Sequence, residues 1–279
     1  MGLITGACGA AEGYEAVSLP IPAEEPSGTH GLDGAVLRRR SARPTKRAVI
    51  YLHCMNDHFV PADLASWYTD RGFHFYVADL RRLADPGRPA ADSPAAELEE
   101  YFAWLDSAAA HVREADGIET MVLSAHAVGG LIGALWCHAR RGSQPTDALI
   151  MASPSFGAGS WLMRTVARGF AGPAQRPTAL LTAVRRRLRR GLDIGCPVLV
   201  LCPSAGWDAP GGTGGLLPLP VVAGGKATMR LGPHVTWLKV DGGPPGEALP
   251  DGLGRRRVFD ELGRWLSAYL SGQIRDQLL

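Results

Sequence analysis

The chain has 279 residues, 46% hydrophobic and 20% charged, enough to bury a full core in one folded domain spanning 1–279. A formal net charge of +2 gives no electrostatic case for a nucleic-acid partner. Five cysteines with no C-x-x-C pair argue against a disulfide framework and a zinc site, so neither a metal nor another cofactor is expected.

Two strands are expected first, Tyr14–Leu19 and Gly34–Arg39, joined by a loop containing Pro and Gly. Arg47–His53 is a continuous apolar run, the pattern of a strand buried on both faces. A helix over Pro61–Arg71 and a strand over Phe73–Ala78 follow. Ser93 reads as the N-cap of a long helix reaching Glu114. Thr120–Ser124 is a strand, Gly129–Arg141 a helix and Ala148–Ala152 another strand. A helix over Thr178–Arg190 is closed by Gly191. Strands at Val198–Cys202 and Val235–Val240 and an amphipathic helix at Arg255–Leu270 complete the pattern. Alternating strands and helices imply an α/β fold with a mostly parallel, doubly wound sheet. Residues 203–233 are rich in Gly and Pro and read as a long loop. No signal peptide is expected, because no basic stretch leads into an apolar run. No stretch approaches about 18 uninterrupted apolar residues, so no membrane span is expected and the cytoplasm is the default location.

The most informative segment is Thr120-Met121-Val122-Leu123-Ser124-Ala125-His126-Ala127-Val128-Gly129-Gly130. An apolar strand, a tight turn and a helix start in this order are the context of a nucleophile elbow, written G-x-S-x-G. Here Ala127 holds the nucleophile's place, and a methyl group cannot attack a carbonyl. The backbone N–H of Val128 lies at a helix N-terminus, where the dipole favours negative charge.

These residues resemble the α/β-hydrolase superfamily, and within it the lysophospholipase or monoacylglycerol-lipase-like branch. The resemblance runs from Tyr14 to Leu270. His53-Cys54-Met55-Asn56-Asp57-His58-Phe59 resembles the family's oxyanion loop, H-G-F-N-D-Y-F, and Phe73–Arg81 resembles the strand that follows it. Ala125–Gly130 resembles G-H-S-x-G-G. Leu231–Thr236, leading to Asp241-Gly242-Gly243, resembles the approach to the catalytic histidine. The resemblance implies an α/β-hydrolase fold with a shortened lid between the sixth and seventh strands, about residues 153–192. It also implies that the N–H of Met55 is the second oxyanion donor.

The departures fall on the catalytic triad. Its serine corresponds to Ala127. Its histidine corresponds to a place near Pro245, and no histidine follows His234. The segment matching the acid, Leu217–Val222, carries no carboxylate. Loss of all three members argues for natural loss and against an engineered trap, and it removes serine chemistry as a unit.

The remaining polar side chains supply the alternatives. Cys54 beside His58 could form a thiolate nucleophile, or Cys54 could be a small buried hydrophobe. Asp57 with His58 or His126 could form a general acid/base pair. Alternatively, Asp57 ties down the loop and His126 packs behind the elbow. His53, Asn56, Ser153, Ser155, Trp161, Trp207 and Asp208 are further ligand-binding candidates. Their plainer roles are loop geometry, a lid anchor at Trp161 and a turn at Asp208. The arginines over Arg185–Arg190 read as a solvated helix end.

Three functions remain. The first is a repurposed enzyme catalysing a non-hydrolytic isomerase, cyclase, epimerase or lyase type of step. It would act on a carbonyl-containing or apolar metabolite of specialised metabolism. The second is a non-catalytic ligand-binding or scaffold protein. The third is a residual esterase or thioesterase using Cys54 or activated water. The partner expected is a small apolar or acyl-type molecule, and a homodimer is left open.

Overall fold

The computed structural model describes residues 13–19, 34–52, 62–78, 94–152, 187, 190–203, 231–240 and 252–270. Strands are β1 (Glu15–Leu19), β2 (Gly34–Arg39), β3 (Arg47–Leu52), β4 (His74–Ala78), β5 (Thr120–His126), β6 (Ala148–Ala152), β7 (Val198–Pro203) and β8 (Val235–Val240). Helices are α1 (Ala62–Asp70), α2 (Pro94–Ala115), α3 (Val128–Ala139) and α4 (Gly252–Leu270). The strands form one eight-stranded sheet in the order β1-β2-β4-β3-β5-β6-β7-β8. β3 to β8 run parallel, and β2 is antiparallel to both of its neighbours.

The apolar runs explain this arrangement. Every residue of β3 from Ala48 to Leu52 is buried, because both faces of the strand are covered. Side chains alternate between the faces. Ala48, Ile50 and Leu52 join a core with α2 and α3, while Val49 and Tyr51 join one with α1 and α4. The sheet is therefore covered on both faces, as the doubly wound expectation requires. α3 is apolar all round, and its residues Val128 to Cys137 are all buried. α4 instead buries a stripe of Val258, Leu262, Trp265 and Leu266. It meets α1 through stacked Trp67 and Phe259 rings at 5.3 Å, with the Arg71 guanidinium 4.2 Å from the Trp67 ring centre.

Several boundaries differ from the sequence reading, by one to three residues. β5 continues beyond Ser124, because Ala125 and His126 pair with Met151 and Ala152 of β6. α3 starts at Val128 and ends at Ala139, one residue earlier and two residues earlier than expected. The residue expected to end the lid, Leu192, is buried with Ile194 in the core beside α2 and α3. The rest of the lid, residues 153–186, 188 and 189, lies outside the described residues. Arg187 and Arg190 are exposed, as a solvated helix end would have them.

Candidate active site

In a parallel sheet, sites form beyond the C-terminal ends of the strands. β5 stands near the middle of this sheet, and the chain reverses there from strand to helix in a single residue, Ala127. Ala127 has φ 50° and ψ −114°, a left-handed conformation that an L-residue with a Cβ adopts at a cost of about 1–2 kcal/mol. Two features enforce it. The Ala127 N–H donates to the carbonyl of Ala152 at 3.0 Å, which extends the β5–β6 ladder by one rung. The next residue already opens α3, whose apolar surface is packed into the core.

The close approach of strand and helix is made at Gly133, a residue that the motif does not include. A Cβ there would lie 2.9 Å from Leu123 Cδ2, whereas at Gly130 it would meet ordinary contacts of 3.7 Å. Ala125 contributes a small side chain at the turn, as expected.

Ala127 makes no side-chain cap for α3. The first-turn amides of an α-helix, here beginning at Val128, have no intrahelical acceptor. They carry the positive end of the helix dipole. Ala127 is itself buried, so a group bound against these amides would sit in a low-dielectric environment and feel them strongly.

Of the sequence candidates, His126, Ala127 and Val128 are described. His126 ends β5 opposite Ala152 and is buried. Strand alternation sets it with Ser124 on the face covered by α1 and α4, away from the core that holds Ala125 and Ala127. His53, Cys54, Met55, Asn56, Asp57, His58, Ser153, Ser155, Trp161, Trp207 and Asp208 lie outside the described residues. So do Leu217–Val222 and the segment around Pro245.

Two buried groups near the strand ends were not singled out by sequence. Cys202, close to the C-terminal end of β7, is buried, and desolvation pushes its thiol up to about 12. It is therefore a protonated, inert thiol at neutral pH. Behind β5, burial raises the Tyr68 phenol far above its ordinary range, and Ser124 pulls it partway back. The signal for both was their position on apolar strand and helix faces, which marks burial and not chemistry. Among the described residues no group of three or more His, Cys, Asp or Glu could hold a metal ion. No described helix is long and apolar enough to cross a membrane.

The comparisons point to the same fold. The family model for "Serine aminopeptidase, S33" matches residues 43–192, which include the elbow. No curated protein matches the chain in sequence. Several solved structures share its fold. Est1E from Butyrivibrio proteoclasticus superposes with a TM-score of 0.57 at 12% identity, over 92% of this chain and 99% of that one. A soluble variant of the monoglyceride lipase from Saccharomyces cerevisiae, in complex with a substrate analogue, gives 0.58 at 11% identity over 91% and 96%. DcsB in complex with its substrate analogue gives 0.59 at 14% identity over 93% and 100%. At these identities the likeness is one of fold. The matched family model, the strand order and the strained turn at Ala127 lead to one conclusion: the chain belongs to the serine aminopeptidase S33 family of α/β-hydrolases.

Proposed function

We propose that this chain binds a small molecule carrying a carbonyl or acyl group at the elbow and converts it without a serine nucleophile. The step would be of the isomerase, cyclase, epimerase or lyase type. The observation that carries the reading is Ala127. The turn keeps the strained geometry that presents a nucleophile, yet its side chain is a methyl group. In this reading the conformation serves the amides behind it. The Val128 N–H, with that of Met55, would take the substrate oxygen as negative charge builds on it. Each such donor contributes about 3 kcal/mol when the charge is largest in the transition state. Proton transfer would fall to His58 and Asp57, with no covalent intermediate. The absence of any histidine after His234 supports a mechanism outside serine chemistry. Among the fold neighbours, one structure of Est1E holds ferulic acid, a small molecule with a carboxyl carbonyl.

Native mass spectrometry of the protein, followed over time in a small-molecule extract of its host, tests this. The expected result is a captured metabolite that gives way to an isomer or an eliminated product. A ligand that stays bound and unchanged under all conditions would remove the catalytic reading. A second measurement addresses the serine chemistry directly. Ala127→Ser should leave p-nitrophenyl ester hydrolysis at the buffer rate, because the place of the triad histidine, near Pro245, carries no imidazole to take the proton of the new hydroxyl. Hydrolysis restored by that single change would mean that another histidine fills the triad base's role at the elbow.

A further inference from the structure

Cys137 and Cys196 belong to no part of the site described above. Cys137 lies in the last turns of α3, and Cys196 lies two residues before β7. They are 59 positions apart in sequence but share the core beside α2 and α3, both as free thiols. Several contacts bring their two segments together. The Asp193 N–H donates to His138 Nδ1 at 2.9 Å, joining the neighbour of one cysteine to the segment of the other. A Cβ on Gly195 would stand 3.4 Å from Gln144 Nε2. On either side of Cys196, the N–H of Ile194 donates to Leu231 and that of Val198 to His234. Burial, together with the neighbouring Cys196, holds the Cys137 thiol well above its ordinary range.

A single buried cysteine behaves as a small inert hydrophobe. Two neighbouring thiols on segments joined in this way are different, since disulfide formation needs both sulfurs close and the backbone able to follow. Cys196 lies at a bend outside the strand ladder, so a small shift there breaks no β-sheet pairing. It is also the more accessible of the two, at 8% exposure against 3% for Cys137.

We propose that Cys137 and Cys196 are a redox modification site that forms a reversible intrachain disulfide when it meets a low-molecular-weight disulfide. Deprotonated Cys196 attacks one sulfur of the small disulfide, breaks its S–S bond and releases one small thiolate. That thiolate takes the proton of Cys137. The Cys137 sulfur then attacks Cys196 Sγ and expels the second small thiolate, which is protonated by the proton first lost from Cys196. Two electrons leave the protein pair, and the small disulfide is reduced to two thiols. The bond joins the far end of the helix that begins at the elbow to the chain just before β7. It closes the β6 crossover, including residues 153–186, into a covalent loop. Because both sulfurs are buried, the reaction runs over minutes to hours.

The test uses the intact protein with oxidised glutathione, followed by alkylation of free thiols and peptide mass spectrometry. Cys202→Ser is included because Cys196 and Cys202 fall in one tryptic peptide. The expected product lacks two alkylations and contains a Cys137–Cys196 cross-linked peptide that dithiothreitol reverses. Its thermal midpoint rises relative to reduced protein, and the rise is absent in Cys137→Ala and Cys196→Ala. Full alkylation at both positions after prolonged exposure overturns the proposal, as do stable glutathione adducts alone. A cross-link that pairs either cysteine with Cys202 overturns it too. Fragmentation of the cross-linked peptide from the unsubstituted protein, which assigns the bond to Cys196 or to Cys202, is decisive even if a variant fails to fold.

Discussion

At the residue scale, Ala127 separates strain from chemistry. Its positive φ costs about 1–2 kcal/mol against an ordinary conformation, because its Cβ crowds the backbone. Glycine has no Cβ and removes that cost, while freeing the unfolded chain by about 0.5–1 kcal/mol in the opposite direction. Ala127→Gly should therefore raise unfolding stability by about 0.5–1 kcal/mol, read from the urea midpoint at constant slope. Ala127→Val should lower it by about 2 kcal/mol or more, because a β-branched side chain is worse at this φ. A loss of stability in the glycine variant would show that the turn carries no strain. The identity of this residue was legible from the sequence: a strand, one small residue and a helix start specify the elbow. Its neighbours were legible only in part. Gly133, where helix and strand come closest, sits inside a helix and carries no motif. Its role depends on Leu123, which only the folded sheet brings opposite it.

At the element scale, α2 and α3 are joined by Asp106. Its Oδ1 accepts from the Trp136 indole N–H at 2.8 Å, and its Oδ2 accepts from Arg140 Nε at 2.9 Å. Trp136 is 1% exposed, so its indole loses a desolvated partner when Asp106 is removed. Arg140 and Asp106 are partly exposed, so water screens their charge pair and its share is small. Asp106→Ala is expected to cost about 2 kcal/mol in chemical denaturation. Asp106→Asn keeps an oxygen for the indole and should cost less than half of that. Equal losses in the two variants would mean that the charge pair, and not the buried indole, joins the helices. The helices themselves were legible from apolar spacing, and Asp106 was not. Its partners lie 30 and 34 positions away, and pairing at that distance leaves no mark in local periodicity. The end of β5 was missed for the same reason. Its last two residues are strand only because β6 stands beside them.

At the scale of the whole molecule, the first hairpin is held to the sheet by a buried charge network. Asp116, at 4% side-chain exposure, takes hydrogen bonds from Arg38 at 3.2 Å and from the Tyr76 hydroxyl, and it pairs with Arg40 at 3.1 Å. Burial alone would raise the Asp116 carboxyl. The Tyr76 hydrogen bond and the Arg38 and Arg40 charges outweigh it and hold the group below its ordinary 3.8. His74, in the same corner, accepts the Ser41 N–H at Nδ1 over 3.1 Å. Burial lowers its pKa below the ordinary 6.5; Asp116 opposes this, and Arg40 and Arg38 add to it. Both shifts give the same sign of pH dependence. A folded His74 that resists protonation means that the unfolded chain binds more protons once pH falls below about 6.5, so stability declines from there. A folded Asp116 that resists protonation adds a second decline as pH passes below about 3.8. The urea midpoint should therefore be flat from about pH 7 to 8, begin to fall once pH drops below about 6.5, and fall again under strong acid. His74→Leu leaves the Ser41 N–H unpaired and should cost about 1–3 kcal/mol at pH 7. The same change should flatten the first decline while leaving the second. If the first decline survives in that variant, another histidine is responsible, and the corner formed by β2, β4 and the end of α2 is not where acid first weakens the fold.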